Sequence, residues 1–292
     1  MKEKKIYALG FFDGVHLGHQ ALLQECRRLA AERCCLAGAV TFDLPPSAVL
    51  LGQKPNMITA PGDRECLLKA YGMDFVTVFD TTAKTLSTSW TDFLSQLLEN
   101  GADGFVCGED YRFGHKGEGT AQKLAAFAHQ RGLPCIIVPE QTMDGEKISS
   151  TRIRTLLETG DLEVTNRLLG HPHRLTGRVV AGRQLGRTIG IPTANLHLAD
   201  SLLTPAFGVY ACTVSVDGHL YVAVTNIGTR PTVDGQSVTV EPWILDFDGD
   251  LYGKEITLFF HKFLRPEQKF ADLEALKTQI QKDAAEAYRL LK

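Results

Sequence analysis

Over the first 170 residues, short apolar runs alternate with longer segments whose apolar positions recur every three to four residues, the pattern of a parallel sheet covered by helices. The runs predict strands at Lys5–Leu9, Leu36–Phe42, Phe75–Phe79, Gly104–Cys107 and Pro134–Val138. Helical periods predict helices at Gly18–Glu32, Asp63–Tyr71, Ser89–Asn100 and Gly119–Arg131, then two shorter ones at Thr151–Glu158 and Leu162–Leu169. Gly170-His171-Pro172 breaks the chain, and the texture changes. Short β-rich runs follow at Gly177–Val180, Gly208–Val216, Leu220–Asn226, Thr239–Leu245 and Glu255–Phe263, separated by Asp/Gly turns that suit an antiparallel barrel. A last helix is expected after Pro266, with Leu273, Leu276, Ile280, Ala284 and Ala287 as one stripe packed on the barrel. The expected organisation is an α/β Rossmann-like domain over 1–170 and an antiparallel β-barrel domain with a C-terminal helix over 171–292.

Composition narrows the function classes. The 292 residues are 44% hydrophobic and 22% charged, an ordinary globular mix. There are 18 basic against 21 acidic residues up to Gly170, and 13 against 13 after it, so neither half has the bulk charge of a nucleic-acid-binding domain. No apolar stretch reaches the ~18 residues of a membrane helix, and Asp13 ends the first apolar run too early for a signal peptide. Seven cysteines without CxxC spacing read as reduced core thiols of a cytoplasmic protein.

The candidate chemistry sits where strands end. Gly10-Phe-Phe-Asp-Gly-Val-His-Leu-Gly-His19 places Gly10, Phe12, Asp13, Gly14 and Gly18 in a strand-to-helix turn, with His16 and His19 three apart and able to face one side. Glycines there let backbone approach phosphate, and the helix N-terminus favours negative charge. Ile148-Ser-Ser-Thr-Arg-Ile-Arg154 offers Ser150, Thr151 and Arg154 as hydroxyl and guanidinium donors, a second wall for a triphosphate. Gly108-Glu-Asp-Tyr-Arg-Phe-Gly114 adds Gly108 and Asp110, the carboxylate for a ribose hydroxyl or a substrate group, beside rings able to stack.

In the second half, residues 171–187 carry four arginines and two histidines without an acid. That run leads into Gly186-Arg-Thr-Ile-Gly-Ile-Pro-Thr-Ala-Asn195. There Gly186 and Gly190 free the backbone, Arg187 adds charge, and Pro192 fixes a turn. Thr193 and Asn195, two apart on extended chain, point oxygens the same way and suit Mg²⁺. No GxxxxGK[ST] occurs, which excludes a Walker-type kinase. Glu241 is the candidate base for an alcohol.

FDGVHLGH, GEDYRFG and ISSTRIR, followed by GRTIGIPTANL, NIGTRPT, VEPWILDF and RPEQKF, resemble the bacterial bifunctional riboflavin kinase/FMN adenylyltransferase (FAD synthetase) family. The resemblance implies ATP as co-substrate with Mg²⁺, phosphorylation of riboflavin to FMN by the second half, and adenylylation of FMN to FAD by the first. It implies that Thr193 and Asn195 hold Mg-ATP, that Glu241 is the base, and that His16, His19, Ser150, Thr151 and Arg154 stabilise the triphosphate. Its partners are small molecules, without nucleic acid or membrane, and it allows weak self-association. Two departures stand out: Thr41-Phe-Asp-Leu-Pro-Pro46 in place of a TFDPHP-like turn, and Pro242-Trp243 after the glutamate, where proline should force a bulge or a rearranged edge. A flavin-binding or regulatory member that has lost one activity is one alternative. Adenylyl transfer to another phosphate ester, such as phosphopantetheine, is a second, and it leaves the C-terminal half unexplained.

Overall fold

The computed structural model describes residues 3–182, 190–232 and 235–292. The chain forms two compact units, 1–57 with 61–150 and 58–60 with 151–292.

In the first unit, Lys5–Leu9 is the central strand of a five-stranded parallel sheet. Leu36–Phe42 and then Phe75–Phe79 lie to one side of it. Ala102–Gly108 and then Cys135–Val138 lie to the other. Strand alternation sorts the core: Ile6 and Ala8 pack with Leu22, Leu23, Leu67 and Leu68 on one face. Tyr7 and Leu9 pack with Phe93, Leu97, Leu124 and Phe127 on the other. The helices over these faces are Leu17–Glu32, Pro61–Ala70, Trp90–Glu99 and Ala121–His129, each within two residues of expectation at either end. Because the chain leaves the central strand in both directions, the crevice beyond Leu9 is the topological switch point where such sheets bind ligands.

The second unit is a closed six-stranded antiparallel barrel. Around it run His173–Val180, Asn195–His197, Gly235–Ile244, His219–Thr232, Gly208–Val216 and Glu255–Arg265, which pairs back to the first. The Leu273–Leu291 helix starts at Asp272, whose carboxylate accepts from Ala275 N–H at 2.8 Å, and packs Ala284 and Ala287 on Val209, Ala211, Val222 and Val224. Arg265 clamps that helix: its guanidinium donates to the buried Asp283 carboxylate at 2.8, 3.0 and 3.1 Å.

From Thr151 on, the helices Ser150–Thr159 and Leu162–Leu169 group with the barrel. Asn166 on the second of them donates to the Phe260 carbonyl and accepts from His173 N–H, both at 2.8 Å. Three expectations need correcting. Leu273 is 63% exposed and does not join the packed stripe, because the first turns of the last helix face a cavity. Of the cysteines, Cys26, Cys107 and Cys212 are buried, whereas Cys34 and Cys66 are exposed at helix surfaces and ends, so only part of the set consists of core thiols. Pro242 makes no bulge: its strand pairs with His219–Thr232 without a register shift. A strand residue directs its N–H and C=O to the same edge, and the Pro242 carbonyl accepts from Ala194 N–H at 2.9 Å. The missing N–H therefore faces the short strand, where pairing is already ending.

His173 is fully buried in the barrel against Phe260, with neither ring nitrogen hydrogen-bonded. Burial first, then repulsion from His171 and Arg174, holds its imidazole down to about 3. The unfolded chain takes up this proton near pH ~6.5, so stability is full above that value and declines as pH falls toward about 3, by at most ~1.4 kcal/mol per pH unit from this group. A His173→Phe chain should lose that part of the slope, read as the denaturant midpoint from Trp243 fluorescence in a Trp90→Phe background. An unaltered slope would exclude His173 as its source.

Candidate active sites

The turn after the first strand is strained. Phe12 (φ 58°) and Val15 (φ 41°) occupy the left-handed region together with Gly14 (φ 83°), at ~1–2 kcal/mol for each non-glycine. Neighbours hold it there. Gly10 N–H donates to the Val40 carbonyl at 3.2 Å, Thr41 Oγ1 to the Phe11 carbonyl at 2.8 Å, and Gln20 Nε2 to the Val15 carbonyl at 2.9 Å. Ser150, 137 residues away in sequence, donates its hydroxyl to the Asp13 carbonyl at 2.9 Å. That bond joins two of the motifs read from sequence.

His16 caps the Leu17–Glu32 helix, its Nδ1 accepting from His19 N–H at 3.3 Å. With Nδ1 an acceptor, the His16 proton sits on Nε2. The two imidazoles stack at 3.6 Å with 15° between planes, so they do share a face. Burial, then the charges of His16 and Arg64, hold His19 well below the usual histidine range, which leaves it neutral at physiological pH. Gly18 has a packing role: an added Cβ would lie 3.2 Å from the His16 ring. Gly10 likewise underlies the Phe12 ring at 3.0 Å.

Other expected residues are less tightly gathered. Asp110, at 69% side-chain exposure, pairs with Lys147 at 2.9 Å, and Gly108 lies beneath its carboxylate. Tyr111 stacks on the buried Phe113. Thr151 is exposed and Arg154 half-buried on the Ser150–Thr159 helix, within the unit that holds the barrel.

Arg64 was not foreseen. It is fully buried on the Pro61–Ala70 helix, with its guanidinium 4.4 Å from the Phe11 ring centre and Nη2 donating to the carbonyls of Phe42 and Asp43. The sequence signal was its place on the face that Leu67 and Leu68 share, three and four residues on. Asp43, in the FDLPP loop, accepts from Leu44 N–H, Thr81 N–H and Thr81 Oγ1, each at 2.7 Å. Burial pushes its carboxyl up, and these hydrogen bonds more than offset that, leaving it below the ordinary value.

In the barrel, two cavities meet at Thr193. One, of about 430 Å³, lies between barrel and last helix, with Glu241, Asn226 and Trp243 on one wall and Leu276 and Ile280 on the other. The second, of about 770 Å³, is lined by Gly190, Pro192, Pro242 and the loop Phe247–Tyr252. Glu241 pairs in register with Asn226, and Val240 with Leu196, so the next pair sets Asn195 opposite Glu241. Asn226 was missed by the sequence reading, although NIGTRPT contains it. Asn195 lines neither cavity. It packs over Gly182, where an added Cβ would lie 2.2 Å from its amide nitrogen. Gly186 and Arg187 lie outside the described residues.

Two family models divide the chain at the change of architecture: FAD synthetase matches residues 1–152 and riboflavin kinase residues 169–291. The chain belongs to the bifunctional riboflavin kinase/FMN adenylyltransferase family. A member from Listeria monocytogenes is 38% identical over 283 residues, 96% of this chain and 90% of that one. One from Bacillus subtilis is 36% identical over 292 residues, covering 98% and 92%. The crystal structure of a macrolide-efflux protein from Streptococcus pneumoniae superposes with a TM-score of 0.87 at 32% identity, over 99% of this chain and 95% of that one. Among the described residues, no helix is long and apolar enough to cross a membrane.

Within this family assignment, Gly182→Ala should displace Asn195 and slow FMN formation about tenfold, the effect of ~1.4 kcal/mol on a barrier. FAD formation from supplied FMN should be unchanged. Equal slowing of both reactions would show damage to the whole chain rather than to this contact.

Proposed function

We propose that the barrel (171–292) phosphorylates riboflavin and that the sheet domain (1–170) adenylylates the FMN formed. The observation that carries the first step is the meeting of two cavities at Thr193, with Glu241 on the wall of the cavity nearer the last helix. The narrower, mostly apolar cavity takes the flavin ring, and the larger one takes ATP. Glu241 receives the proton of the ribityl 5′-hydroxyl as its oxygen attacks the γ-phosphorus, and ADP leaves. Thr193 and Asn195 supply hard oxygen donors of the kind Mg²⁺ accepts. Bound with ATP, Mg²⁺ would offset charge on the phosphate oxygens.

For the second step, an oxygen of the FMN phosphate attacks the α-phosphorus of ATP, and pyrophosphate leaves. No covalent enzyme intermediate is needed, so catalysis rests on donors fixed where charge develops. The stacked pair His16 and His19, set on a turn held by Ser150, provides them. The strain at Phe12 and Val15 supports this reading, since such backbone concentrates at functional turns. The partners are small molecules. The near-neutral charge of both halves argues against nucleic acid. The chain works in the cytoplasm, where reducing conditions suit its free thiols.

His19→Ala should lower FAD formation by roughly 10²–10³, the range for losing one charge-stabilising donor, and leave FMN formation intact. Glu241→Gln should do the reverse. Both are read by chromatographic separation of riboflavin, FMN and FAD; full kinase turnover in Glu241→Gln would remove the glutamate from the role of base.

A further inference from the structure

Arg64 is the largest of the fully buried side chains in the molecule as described, and the two reactions above give it no part. Burying a guanidinium is expensive unless its charge and donors are used. Here Nη2 serves the Phe42 and Asp43 carbonyls, while Nε and Nη1 have no hydrogen-bond partner. The carbonyls belong to the FDLPP loop, and the ring beneath the guanidinium, Phe11, belongs to the strained turn. One side chain therefore touches both loops at the switch point of the sheet.

Two carboxylates share this neighbourhood. Asp13 is buried within the turn, and Asp43 is held in the FDLPP loop by Thr81. Burial pushes the Arg64 guanidinium down, to about 10, while Asp13 and Asp43 pull it back up, so Arg64 stays charged at neutral pH. A carboxylate beside a site for a triphosphate and a phosphate monoester adds to the repulsion that both substrates meet. Unit charges of one sign repel by several kcal/mol at short range in a low-dielectric medium.

We propose that Arg64 is a positioning residue of the adenylyl-transfer site: it offsets the Asp43 charge and ties the FDLPP loop to the Gly10–Gly14 turn, so that two anionic substrates can approach each other there. This inference rests on the adenylyltransferase reading of the first half. It assigns to Arg64 its charge, and not only its hydrogen bonds, as the property that matters.

Charge and hydrogen bonding separate by substitution in the full chain. Arg64→Gln keeps a donor for the carbonyls and loses the charge; Arg64→Lys keeps the charge in a different shape. Arg64→Gln should lower kcat/KM for FAD formation from FMN by roughly tenfold to a hundredfold. Arg64→Lys should retain most of the activity. Adding Asp43→Asn to Arg64→Gln should restore at least tenfold of the loss, because asparagine keeps the oxygen that accepts from Thr81 while removing one negative charge. Riboflavin phosphorylation by each variant reports on the integrity of the rest of the chain. Equal FAD formation by the glutamine and lysine variants, whether high or low, overturns the proposal, as does a double variant no faster than Arg64→Gln. Absence of FAD formation by the unaltered chain would instead overturn the underlying reading of the first half.

Discussion

Two side chains held in the left-handed region at the end of the central strand govern the N-terminal half. Phe12 and Val15 would relax in an isolated peptide, and they stay because the sheet fixes Gly10, Thr41 fixes Phe11 and Ser150 fixes Asp13. The reward for that strain is placement. It turns the chain sharply enough for His16 to become a helix cap and for His19 to stack on it. Burial keeps His19 neutral in the free protein. Donors arranged before the substrate arrives need no reorganisation when charge develops.

The barrel solves a different problem with different means. A closed barrel filled by its own side chains has no room for a flavin, so the cavity forms outside it, beneath the last helix. The Arg265–Asp283 pair and Gln279, which donates to Asp283 at 2.9 Å, hold that helix by its middle. Ala284 and Ala287 pack closely beyond the pair, while Leu276 and Ile280 before it line open space. Glu241, Asn226 and Asn195 fall in a row across three paired strands, an arrangement that sheet register enforces without any contribution from loops.

Much of this was legible in the chain. Strands such as Leu36–Phe42 and Gly208–Val216 show their full extent because burial pattern and turn residues agree. Ser150, which opens the helix of ISSTRIR, lies against the FDGVHLGH turn and donates to the Asp13 carbonyl. What escaped were features set by distant contacts. Asn195–His197 is too short to show alternation. Arg64 on a helix reads as a solvent-facing cation until the sheet closes over it. Nothing in the period of Leu162–Leu169 reveals that Asn166 binds it to the barrel. Leu273 fits the apolar stripe, yet the stripe opens onto a cavity instead of a core.

The central claim is that one chain draws on ATP twice, at different phosphorus atoms and in separately built halves. Parallel reactions of the full chain with riboflavin and magnesium, one with ATP labelled at the γ-phosphate and one at the α-phosphate, test it most directly. FMN should carry the γ label and no α label, and FAD should carry both. FAD without the α label, or FMN and FAD both without the γ label, would contradict it.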